Sequence, residues 1–426
     1  MTGRAANHLS FLIPTGAGGG AQRVMVTLAN EIARRGRRVD LVVGRAQGPF
    51  LQSIGDHVRL VTLEKSNPMR GRWAAWRADP AGTAALVRPF LLPLSTSDMV
   101  SRLPALTRYL RQNRPDVMMS AKVHTNLVAL LARRAAAVST RIVVSERGDY
   151  GDKVKNSRRW RWRHVPPLMR RLYADADAII SVSQDLAERL PGYTGLAPDR
   201  IQVLHNPVVS SSLHRQADEP IDHDWFASGE PPVILAVGRL EPRKGFQDLI
   251  AAVGKIVEKR PIRLMIFGEG KLRPALERQT ADLGLSNVVA MPGWCPNPFA
   301  YMARAALFVL PSHYEGLPGV LIQALACGCP VVATDCPTGP REILDGGRFG
   351  ELTPVGDVDA MADAIIAAIA APHPKAMLQA RGNEFSVDRA VDRYLSMFDV
   401  LVDRQSKVQG RQSLGGGFVP SSEAVG

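Results

Sequence analysis

The chain has only four cysteines among its 426 residues, Cys295, Cys327, Cys329 and Cys336, and their spacing matches no zinc-binding pattern. We expect them to be buried free thiols in a reducing cytoplasm. No run of 18 apolar residues is present, which excludes a transmembrane helix, and the apolar segment FLIP near the N-terminus is too short for a signal peptide. Neither half carries the GxGxxG fingerprint of a dinucleotide-binding protein.

Length and charge indicate two unlike halves. The length favours two domains of roughly 200 residues each, and a hydrophobic content of 46% can fill two large cores. Residues 1–207 contain 32 Lys and Arg against 15 Asp and Glu, whereas the remainder contains 21 against 25. A basic half joined to a nearly neutral half predicts an anionic partner for the first half, either a membrane or a nucleic acid.

The most informative stretch is 308–345, FVLPSHYEGLPGVLIQALACGCPVVATDCPTGPREILD. The apolar run Leu307–Leu310 predicts a buried strand, and Pro318 suits the first position of a helix that ends at Gly328. The segment VVAT predicts a second strand. This pattern is half of a doubly wound sheet, whose loops at the strand ends are where such sheets bind ligands.

Phosphate and sugar recognition are both possible in the loop before that helix. The backbone N–H groups of Leu317–Val320 lie at the positive end of the predicted helix dipole and suit a phosphate. Glu315 can accept hydrogen bonds from sugar hydroxyls, and Gln323, inside the helix, can reach a ribose. An ordinary βαβ unit with a surface glutamate also fits this stretch by itself.

Two cations follow another predicted strand, VILAVG. Arg239 and Lys244 are five residues apart in a loop before a helix, where they can neutralise a diphosphate. A solvated loop accounts for the two charges, but not for their combination with Glu315 further along the chain.

The N-terminal segment predicts strand, glycine loop, helix and strand, over HLSFLIP, TGAGGG, AQRVMVTLANEIARRG and RVDLVVG. Gly18, Gly19 and Gly20 let the backbone approach a phosphate at the start of the helix, although a tight turn without a ligand fits equally well. His124 lies at a later strand-to-helix turn, where a lone histidine is usually structural.

Asp175-Ala-Asp177 has the form of a metal-binding DxD motif. It precedes a predicted strand and is interpreted as a helix end, so no metal is assigned to it.

Two segments are rich in arginine and tryptophan. Residues 64–104 are predicted to be irregular, either as an insertion that contacts an acceptor or a membrane, or as a solvated loop over the core. Residues 153–173 interleave Trp with Arg, which suits an anionic lipid surface. A nucleic acid would suit the same composition, but no sequence-reading module is present, and a charged face covering the domain edge is a further alternative.

Two motifs carry a resemblance to a known family. The segment EGLPGVLIQALACGCPVVATDCPTGPREI and the GR-x4-KG at Gly238–Gly245 resemble those of retaining, nucleotide-sugar-dependent glycosyltransferases of family 4. The resemblance implies an α/β GT-B fold, in which two Rossmann-like domains face each other across a cleft and a C-terminal helix crosses back to the N-domain. We accordingly predict an acceptor-binding domain at 1–207, a linker at 208–232, a nucleotide-sugar-binding domain at 233–385, a crossover helix at 386–406 and a disordered tail at 407–426.

The resemblance also implies roles for individual residues. In the family motif Glu-x7-Glu the first Glu contacts the transferred sugar and the second holds the ribose; here these positions are Glu315 and Gln323, and the amide lacks the negative charge. Arg239, Lys244 and His124 complete the implied catalytic set. The implied donor-binding residues are Gly18, Gly19, Gly20, Gly238, Trp294, Gly316, Leu317, Pro318 and Gln323, and Glu146 and Arg147 are placed on the acceptor side.

The implied activity is transfer of a sugar, with retention of configuration, from a UDP-sugar to a lipid-linked or saccharide acceptor of cell-surface polysaccharide assembly. The nucleotide-sugar is a co-substrate, so no cofactor, metal or nucleic acid is expected. The expected location is the inner face of the cytoplasmic membrane, held peripherally through 153–173.

Three other functions have distinct signatures. A non-catalytic nucleotide-binding scaffold of a polysaccharide assembly complex is the main alternative, because Gln323 departs from the motif. A nicotinamide oxidoreductase would need the absent GxGxxG. A 2-epimerase of the same fold would consume the nucleotide-sugar without an acceptor.

Overall fold

The fold is built from short β-branched strands that alternate with amphipathic helices along the chain. The computed structural model describes residues 5–17, 19–91, 98–148, 150–151 and 164–414. Strands such as Leu307–Leu310 are buried along their whole length. Such continuous burial is typical of parallel strands that are covered by helices on both faces.

The first sheet has seven strands. They are β1 (His8–Thr15), β2 (Arg38–Arg45), β3 (Val58–Thr62), β4 (Val117–Ala121), β5 (Arg141–Glu146), β6 (Ala178–Ser181) and β7 (Ile201–Val203). Their order is β3-β2-β1-β4-β5-β6-β7. Leu9 of β1 lies opposite Val39 of β2 and opposite Val117 of β4, and both pairings are parallel. The chain therefore adds two strands on one side of β1 and then returns to add β4 on the other side.

The second sheet repeats this plan with six strands. They are β8 (Val233–Val237), β9 (Arg263–Phe267), β10 (Val289–Gly293), β11 (Leu307–Leu310), β12 (Val331–Thr334) and β13 (Glu351–Thr353). Their order is β10-β9-β8-β11-β12-β13, and every neighbouring pair is parallel. The strand order again reverses beside the first strand, here between β8 and β11.

Helices connect the strands. In the first part of the chain they are α1 (Gly20–Arg34), α2 (Pro68–Ala78), α3 (Thr83–Leu86), α4 (Leu103–Asn113), α5 (Val123–Ala136), α6 (Pro166–Tyr173) and α7 (Gln184–Thr194). They continue with α8 (Ser211–Asp218), α9 (Phe246–Val257), α10 (Arg273–Asp282), α11 (Pro298–Met302), α12 (Gly319–Ala326), α13 (Pro340–Ile343), α14 (Val358–Ala370), α15 (Lys375–Asn383) and α16 (Val387–Leu414). Among the helices of the described residues, none has both the length and the apolar character needed to cross a membrane.

The second sheet carries apolar side chains on both of its faces. Leu235 of β8 packs in the same cluster as Leu321 of α12, whereas its neighbour Ile234 packs in the same cluster as Val253 of α9. Successive side chains of a strand point to opposite faces. The sheet is therefore covered by apolar helices on both sides.

The chain divides into two compact units. The first contains Met1–Val144, Arg171–Ile179 and Val391–Gly426, and the second contains Ser145–Arg170 and Ile180–Ala390. The four division points fall within β5, α6, β6 and α16, so none of them coincides with the predicted limit at residue 207. The predicted acceptor-binding and nucleotide-sugar-binding roles of the domains stay predictions.

The return of the last helix to the first unit is confirmed. From Val391 onward α16 belongs to that unit. Phe398 packs edge-on against Phe11, with 6.4 Å between ring centroids, and the backbone N–H of Ala6 donates to Asp399 Oδ1 at 2.7 Å. The helix continues to Leu414, past the predicted end at 406, and the rest of the predicted tail lies outside the described residues.

The predicted linker 208–232 contains the helix α8. Leu213 and Ala217 of that helix are buried in the core of the second unit. Val209 forms an isolated parallel bridge with Ser386. The segment therefore belongs to the second unit and packs in its core along part of its length.

The prediction that 64–104 is irregular is wrong, because the segment contains α2 and α3. Asn67 begins α2 by accepting a hydrogen bond from the N–H of Met69 at 2.9 Å, and Pro68 occupies the first helical position. The buried face of α2 consists only of Gly71 and Ala75. The apolar residues Met69, Trp73 and Trp76 recur at helical spacing, so the sequence carried a signal for this helix that the prediction overlooked.

The prediction of buried free thiols is confirmed for three of the four cysteines. Cys327, Cys329 and Cys336 are buried, whereas Cys295 is half-buried, and all four are free. Burial raises the pKa of Cys327 and of Cys336 to about 12. These thiols are therefore weakly nucleophilic at neutral pH.

A buried carboxylate anchors the edge of the first sheet. Asp40 of β2 is fully buried, and His8, Arg59 and Tyr109 hydrogen-bond to it at 2.9 Å or less. Burial opposes its ionisation, but the hydrogen bonds from these three partners outweigh that effect and hold the pKa of Asp40 well below its usual value. Asp40 is thus a charged structural group inside the core.

We expect Asp40→Asn to lower the free energy of unfolding by about 2–4 kcal/mol, because it leaves a half-exposed guanidinium and a buried phenol without their anion. Urea denaturation at neutral pH measures this difference. Because the folded pKa is the lower one, this stabilisation is present above the unfolded-state pKa and disappears as the pH falls towards the folded value. The exposed Asp56→Asn is the matched control, and an equal loss in both variants would contradict the assignment.

Candidate functional site

The strand-order reversal in the second sheet sets the place of the candidate site. Loops that leave two neighbouring strands at a reversal run to opposite faces of the sheet, which opens a crevice at the carboxyl ends of those strands. Here the strands are β8, which ends at Val237, and β11, which ends at Leu310. The predicted residues Gly238, Arg239 and Lys244 follow the first strand, and Glu315 follows the second.

The structure brings Lys244 and Glu315 together. Lys244 Nζ donates to Glu315 Oε1 at 2.5 Å, and the hydroxyl of Ser312 donates to the same oxygen at 2.8 Å. Both side chains are about nine-tenths buried. The sequence places these two residues 71 positions apart, so their ion pair is a product of the fold.

The charge of Glu315 is set by opposing effects. Burial disfavours the carboxylate, but the positive charges of Lys244 and Arg243, with the hydrogen bonds from Lys244 and Ser312, outweigh burial and lower the pKa of Glu315. The group is therefore an ionised hydrogen-bond acceptor at neutral pH.

The ion pair belongs to a longer network. Arg239 Nη1 lies 3.1 Å from Glu241 Oε1, and Arg243 Nε lies 3.3 Å from Glu241 Oε2. Arg243 Nη1 then lies 3.6 Å from Glu315 Oε2, next to the Lys244 contact. Three cations and two carboxylates thus alternate along the crevice and leave one positive charge in excess, which favours an anionic ligand.

A close backbone contact holds the two loops together. Gly245 has a φ of +63°, and a Cβ at this position would lie 1.9 Å from the carbonyl oxygen of Pro311. Only glycine permits both this conformation and this approach. The contact fixes Lys244 beside the end of β11, which explains how two loops so far apart in sequence share one ion pair.

The helix after β11 starts as predicted, within one residue. α12 begins at Gly319, and Pro318 is its N-cap rather than its first residue. The first-turn amides of a helix have no partner within the helix and carry the positive end of its dipole. Leu317 is buried, Gln323 is half-buried, and the hydroxyl of Thr338 donates to the carbonyl oxygen of Glu315.

A second glycine keeps this loop in place. A Cβ on Gly316 would lie 2.4 Å from the carbonyl oxygen of Arg147, so the two backbones are in direct contact. Arg147 itself is half-buried, and its Nη1 donates to Asn206 Oδ1 at 2.5 Å. Glu146, the other residue predicted for the acceptor side, is buried at the end of β5. Their predicted role towards an acceptor stays a prediction.

The first sheet has its own reversal, between β1 and β4. The glycine loop follows β1, with Gly19 as the N-cap of α1 and Gly20 as its first residue, while Gly18 lies outside the described residues. His124 follows β4 as the second residue of α5, half-buried, with its ring centroid 6.2 Å from that of Phe90. The glycine loop and His124 therefore lie at the same edge of the first sheet, as their places in the sequence suggest.

The turn before His124 has an unusual backbone. Lys122, the N-cap of α5, has a φ of +78° although it is not a glycine. Non-glycine residues in this region are strained and are frequent at functional sites. Nothing in the sequence indicates this conformation.

Trp294 lies apart from both reversals. It follows β10, an edge strand that is separated from β8 by β9, and it is 75% exposed. Its predicted role in binding the donor stays a prediction.

The DxD-like pair is occupied by arginines. Asp175 Oδ2 accepts from Arg134 Nε at 2.5 Å, and Asp177 Oδ1 accepts from Arg141 Nη1 at 2.6 Å. Arg133 also contacts Asp177. These contacts favour a structural role for both carboxylates. In the described part of the chain, no group of three or more His, Cys, Asp or Glu side chains is arranged to hold a metal ion.

Sequence reasoning missed Arg243, Glu241 and Ser312. Arg243 and Glu241 lie in the same loop as Lys244, so the sequence shows that they are near it. The sequence does not show which of the loop's cations faces Glu315. Ser312 lies two residues after the end of β11 at Leu310, and this position was the available signal for a polar group in the crevice.

Two family models match complementary parts of the chain. The model described as Glycosyltransferase Family 4 matches residues 18–211, and the model described as Glycosyl transferases group 1 matches residues 231–371. The second match contains the whole charged network of the crevice, and the first contains the glycine loop and His124.

Two curated relatives match 46% and 90% of the chain. The N-acetylgalactosamine-N,N'-diacetylbacillosaminyl-diphospho-undecaprenol 4-alpha-N-acetylgalactosaminyltransferase of Campylobacter jejuni is 34% identical over 195 residues, which are 46% of this chain and 51% of that protein. The lipopolysaccharide core biosynthesis glycosyltransferase LpsE of Rhizobium meliloti is 26% identical over 393 residues, 90% of this chain and 96% of that protein. The chain thus spans about half the length of the first relative and nearly all of the second.

Solved structures show the fold. The Anabaena protein HepE in complex with UDP and glucose superposes with a TM-score of 0.66 at 19% identity, over 95% of this chain and 99% of that one. The predicted α/β architecture of two Rossmann-like domains, the GT-B fold, is confirmed.

The glycine loop gives a test that is independent of turnover. A Cβ on Gly20 would meet no atom of this chain within 4 Å, so Gly20→Ala leaves the folded state undisturbed and adds helix propensity worth up to about 1 kcal/mol. If the loop approaches a phosphate, the added methyl group obstructs it, and we expect the affinity for UDP to fall roughly tenfold.

Isothermal titration with UDP, together with the melting temperature, measures both effects. Gly192→Ala is the matched control, since Gly192 is an exposed helical glycine with equally open surroundings. Unchanged UDP affinity in the Gly20 variant would show that the loop is only a turn.

Proposed function

Because the chain belongs to the glycosyltransferases of family 4, we propose that it transfers a sugar with retention of configuration from a UDP-sugar to a lipid-linked or saccharide acceptor. The observation that carries this proposal is the buried ion pair of Lys244 and Glu315 at the strand-order reversal of the second sheet. A cation suits the diphosphate of such a donor, and a carboxylate suits the hydroxyls of its sugar.

The cations of the crevice supply the leaving-group stabilisation. As the bond between the sugar and the diphosphate breaks, negative charge grows on the diphosphate, and Arg239 and Lys244 stabilise it at an interior site where such interactions are strong. The network already holds one positive charge in excess. Phosphate oxygens can therefore replace the carboxylates of Glu241 and Glu315 as hydrogen-bond acceptors of these cations, so that every cation keeps an anionic partner.

The remaining steps use few protein groups. Glu315 and His124 hold the sugar, and Gln323 holds the ribose by donating to one hydroxyl and accepting from another. The acceptor hydroxyl gives its proton to the departing phosphate oxygen on the same face of the sugar as the new bond forms. We therefore assign no general base. The reaction needs neither a cofactor nor a metal in this scheme, because the side-chain cations take the metal's usual role.

The choice of donor and acceptor follows the relatives. HepE was solved with UDP and glucose, and the two curated relatives are named for transfer to a diphospho-undecaprenol carrier and for lipopolysaccharide core biosynthesis. By analogy, this chain acts in cell-surface polysaccharide biosynthesis. Its acceptor would be displayed at the inner face of the cytoplasmic membrane, and the excess of positive charge in residues 1–207 suits peripheral binding there.

A second function is favoured by one residue. Gln323 replaces the second glutamate of the family motif, which suggests a scaffold that retains nucleotide binding but has lost turnover. Such a protein would bind UDP and produce no transfer product with any acceptor.

Removal of the ion pair tests the proposal. We expect Lys244→Ala and Glu315→Gln each to lower kcat/KM about 10²–10³-fold, since each removes a contact to charge or hydroxyls in the transition state. Release of free nucleotide from a panel of UDP- and GDP-sugars, with detergent-dispersed membrane extract as the acceptor source, measures the rate.

Folding has to be followed in the same variants. Lys244→Ala leaves a buried carboxylate with a weaker partner and costs about 3 kcal/mol of stability, whereas Glu315→Gln keeps the shape of the side chain. The exposed Lys255→Ala is the matched lysine control. Turnover at the wild-type rate in both folded variants would remove the proposed site.

Gln323→Glu separates the enzyme from the scaffold. In an enzyme that tolerates the amide, the restored carboxylate accepts from both ribose hydroxyls, and we expect UDP affinity or turnover to rise several-fold. Titration calorimetry with UDP and the release assay measure the two quantities. Persistent absence of release in both wild type and variant, with UDP binding intact, would support the scaffold instead.

A further inference from the structure

An exposed apolar stripe runs along one side of α2. Met69, Trp73 and Trp76 are 73%, 57% and 42% exposed. Their spacing of four and three residues places them on one side of the helix, within an arc of about 60° at 100° per residue. Gly71 and Ala75 occupy the buried side. The helix thus turns small residues towards the protein and its largest apolar residues towards solvent.

The close attachment of α2 to the protein runs through its small residues. A Cβ on Gly71 would lie 2.4 Å from the carbonyl oxygen of Val100, so the helix backbone packs directly on the chain beneath it. Large apolar side chains gathered on a surface usually mark an interaction site, since their exposure to water is unfavourable. Two tryptophans and a methionine exposed along one side of a helix fit this description.

Basic residues flank the stripe. Arg70, Arg72 and Arg77 lie on the same helix, and the Arg77 guanidinium is 5.0 Å from the centre of the Trp73 ring. Residues 65–91 contain five Lys and Arg and a single acidic residue, Asp79. Asp79 is buried and paired with Arg171 and Arg134, so its charge is compensated inside the protein.

This combination of groups selects one kind of partner. Tryptophan rings favour the headgroup level of a bilayer, and arginines beside them bind lipid phosphates. A second copy of this chain would bring an equally basic face into contact, and the like charges would repel each other. An anionic lipid surface complements both the apolar and the basic part.

We propose that the α2 face, defined as Met69, Arg70, Trp73, Trp76 and Arg77, binds the surface of an anionic bilayer. The helix lies in the plane of the interface, with the apolar stripe at headgroup depth and the arginines on phosphates. This deepens the proposed function, because it identifies the element that holds the enzyme near a lipid-linked acceptor. It differs from the segment 153–173 predicted for this purpose, of which residues 152–163 lie outside the described residues.

Vesicle sedimentation tests the proposal with the full chain. We expect binding to vesicles of phosphatidylcholine with about a third phosphatidylglycerol, little binding to phosphatidylcholine alone, and weaker binding when NaCl rises from about 0.05 to about 0.5 M. Trp73→Ser with Trp76→Ser should lower the partition coefficient at least about tenfold, since two large rings leave the interface. Arg70→Gln with Arg77→Gln should lower it several-fold and reduce its salt dependence.

Two controls separate α2 from other tryptophans. Trp294→Ser removes an even more exposed tryptophan that lies in the second unit, and it should leave vesicle binding unchanged. Trp160→Ser with Trp162→Ser tests the segment 153–173. Loss of binding in that variant, together with full binding in the Trp73/Trp76 variant, would overturn the proposal.

The outcome is distinguishable from a failure of the proposed function. The shift of melting temperature by UDP reports the nucleotide site without any lipid, and the Trp73/Trp76 variant should retain it. Vesicle binding without a UDP shift would leave the α2 face in place and remove the donor assignment. A shift of the wild-type melting temperature by UDP, without vesicle binding, would support the donor assignment and overturn the proposed role of the α2 face.

Discussion

The ion pair between Lys244 and Glu315 is the contact on which the candidate site depends. It joins the loops that leave β8 and β11, where the strand order reverses and the backbone leaves a crevice. A buried pair of this kind contributes little net stability, because the desolvation of both charges offsets much of their attraction. Its contribution is positional, because it holds a cation and a carboxylate at fixed places in a region that apolar side chains would otherwise fill.

The surrounding charges make this arrangement exchangeable. Arg239, Glu241, Arg243, Glu315 and Lys244 form one alternating series, in which every charge has a partner before any ligand arrives. An incoming diphosphate can take over the cations and release the carboxylates to sugar hydroxyls. The same two loops thus hold the charged groups in fixed positions before a ligand binds. Such preorganisation of charges is what electrostatic catalysis requires. Glycine at 245 makes this possible by letting the two loop backbones touch.

Much of the second sheet was predicted from sequence, and α2 was not. The strands Leu307–Leu310 and Val331–Thr334 are continuous β-branched or apolar runs between turn residues, and the structure has them within these limits. The helix α2 was missed although Met69, Trp73 and Trp76 recur at helical spacing. What the spacing could not show is that this apolar side is the exposed one, because the buried face is made of Gly71 and Ala75. In the crevice, the sequence likewise identified Lys244 and Glu315 but not Arg243, which contacts the same carboxylate.

By itself, the sequence determined the alternation of strands and helices, the residues that follow each strand, the excess of positive charge before residue 207, and the motifs that mark the family. These are local properties, since each depends on neighbours within a few turns of chain or on composition. Only the tertiary structure decided which of the loop cations pairs with Glu315, how far the pKa of Asp40 falls, and which side of α2 is exposed. Each of these depends on groups that are distant in sequence and become neighbours only when the strands are ordered in the sheet and the helices pack on it.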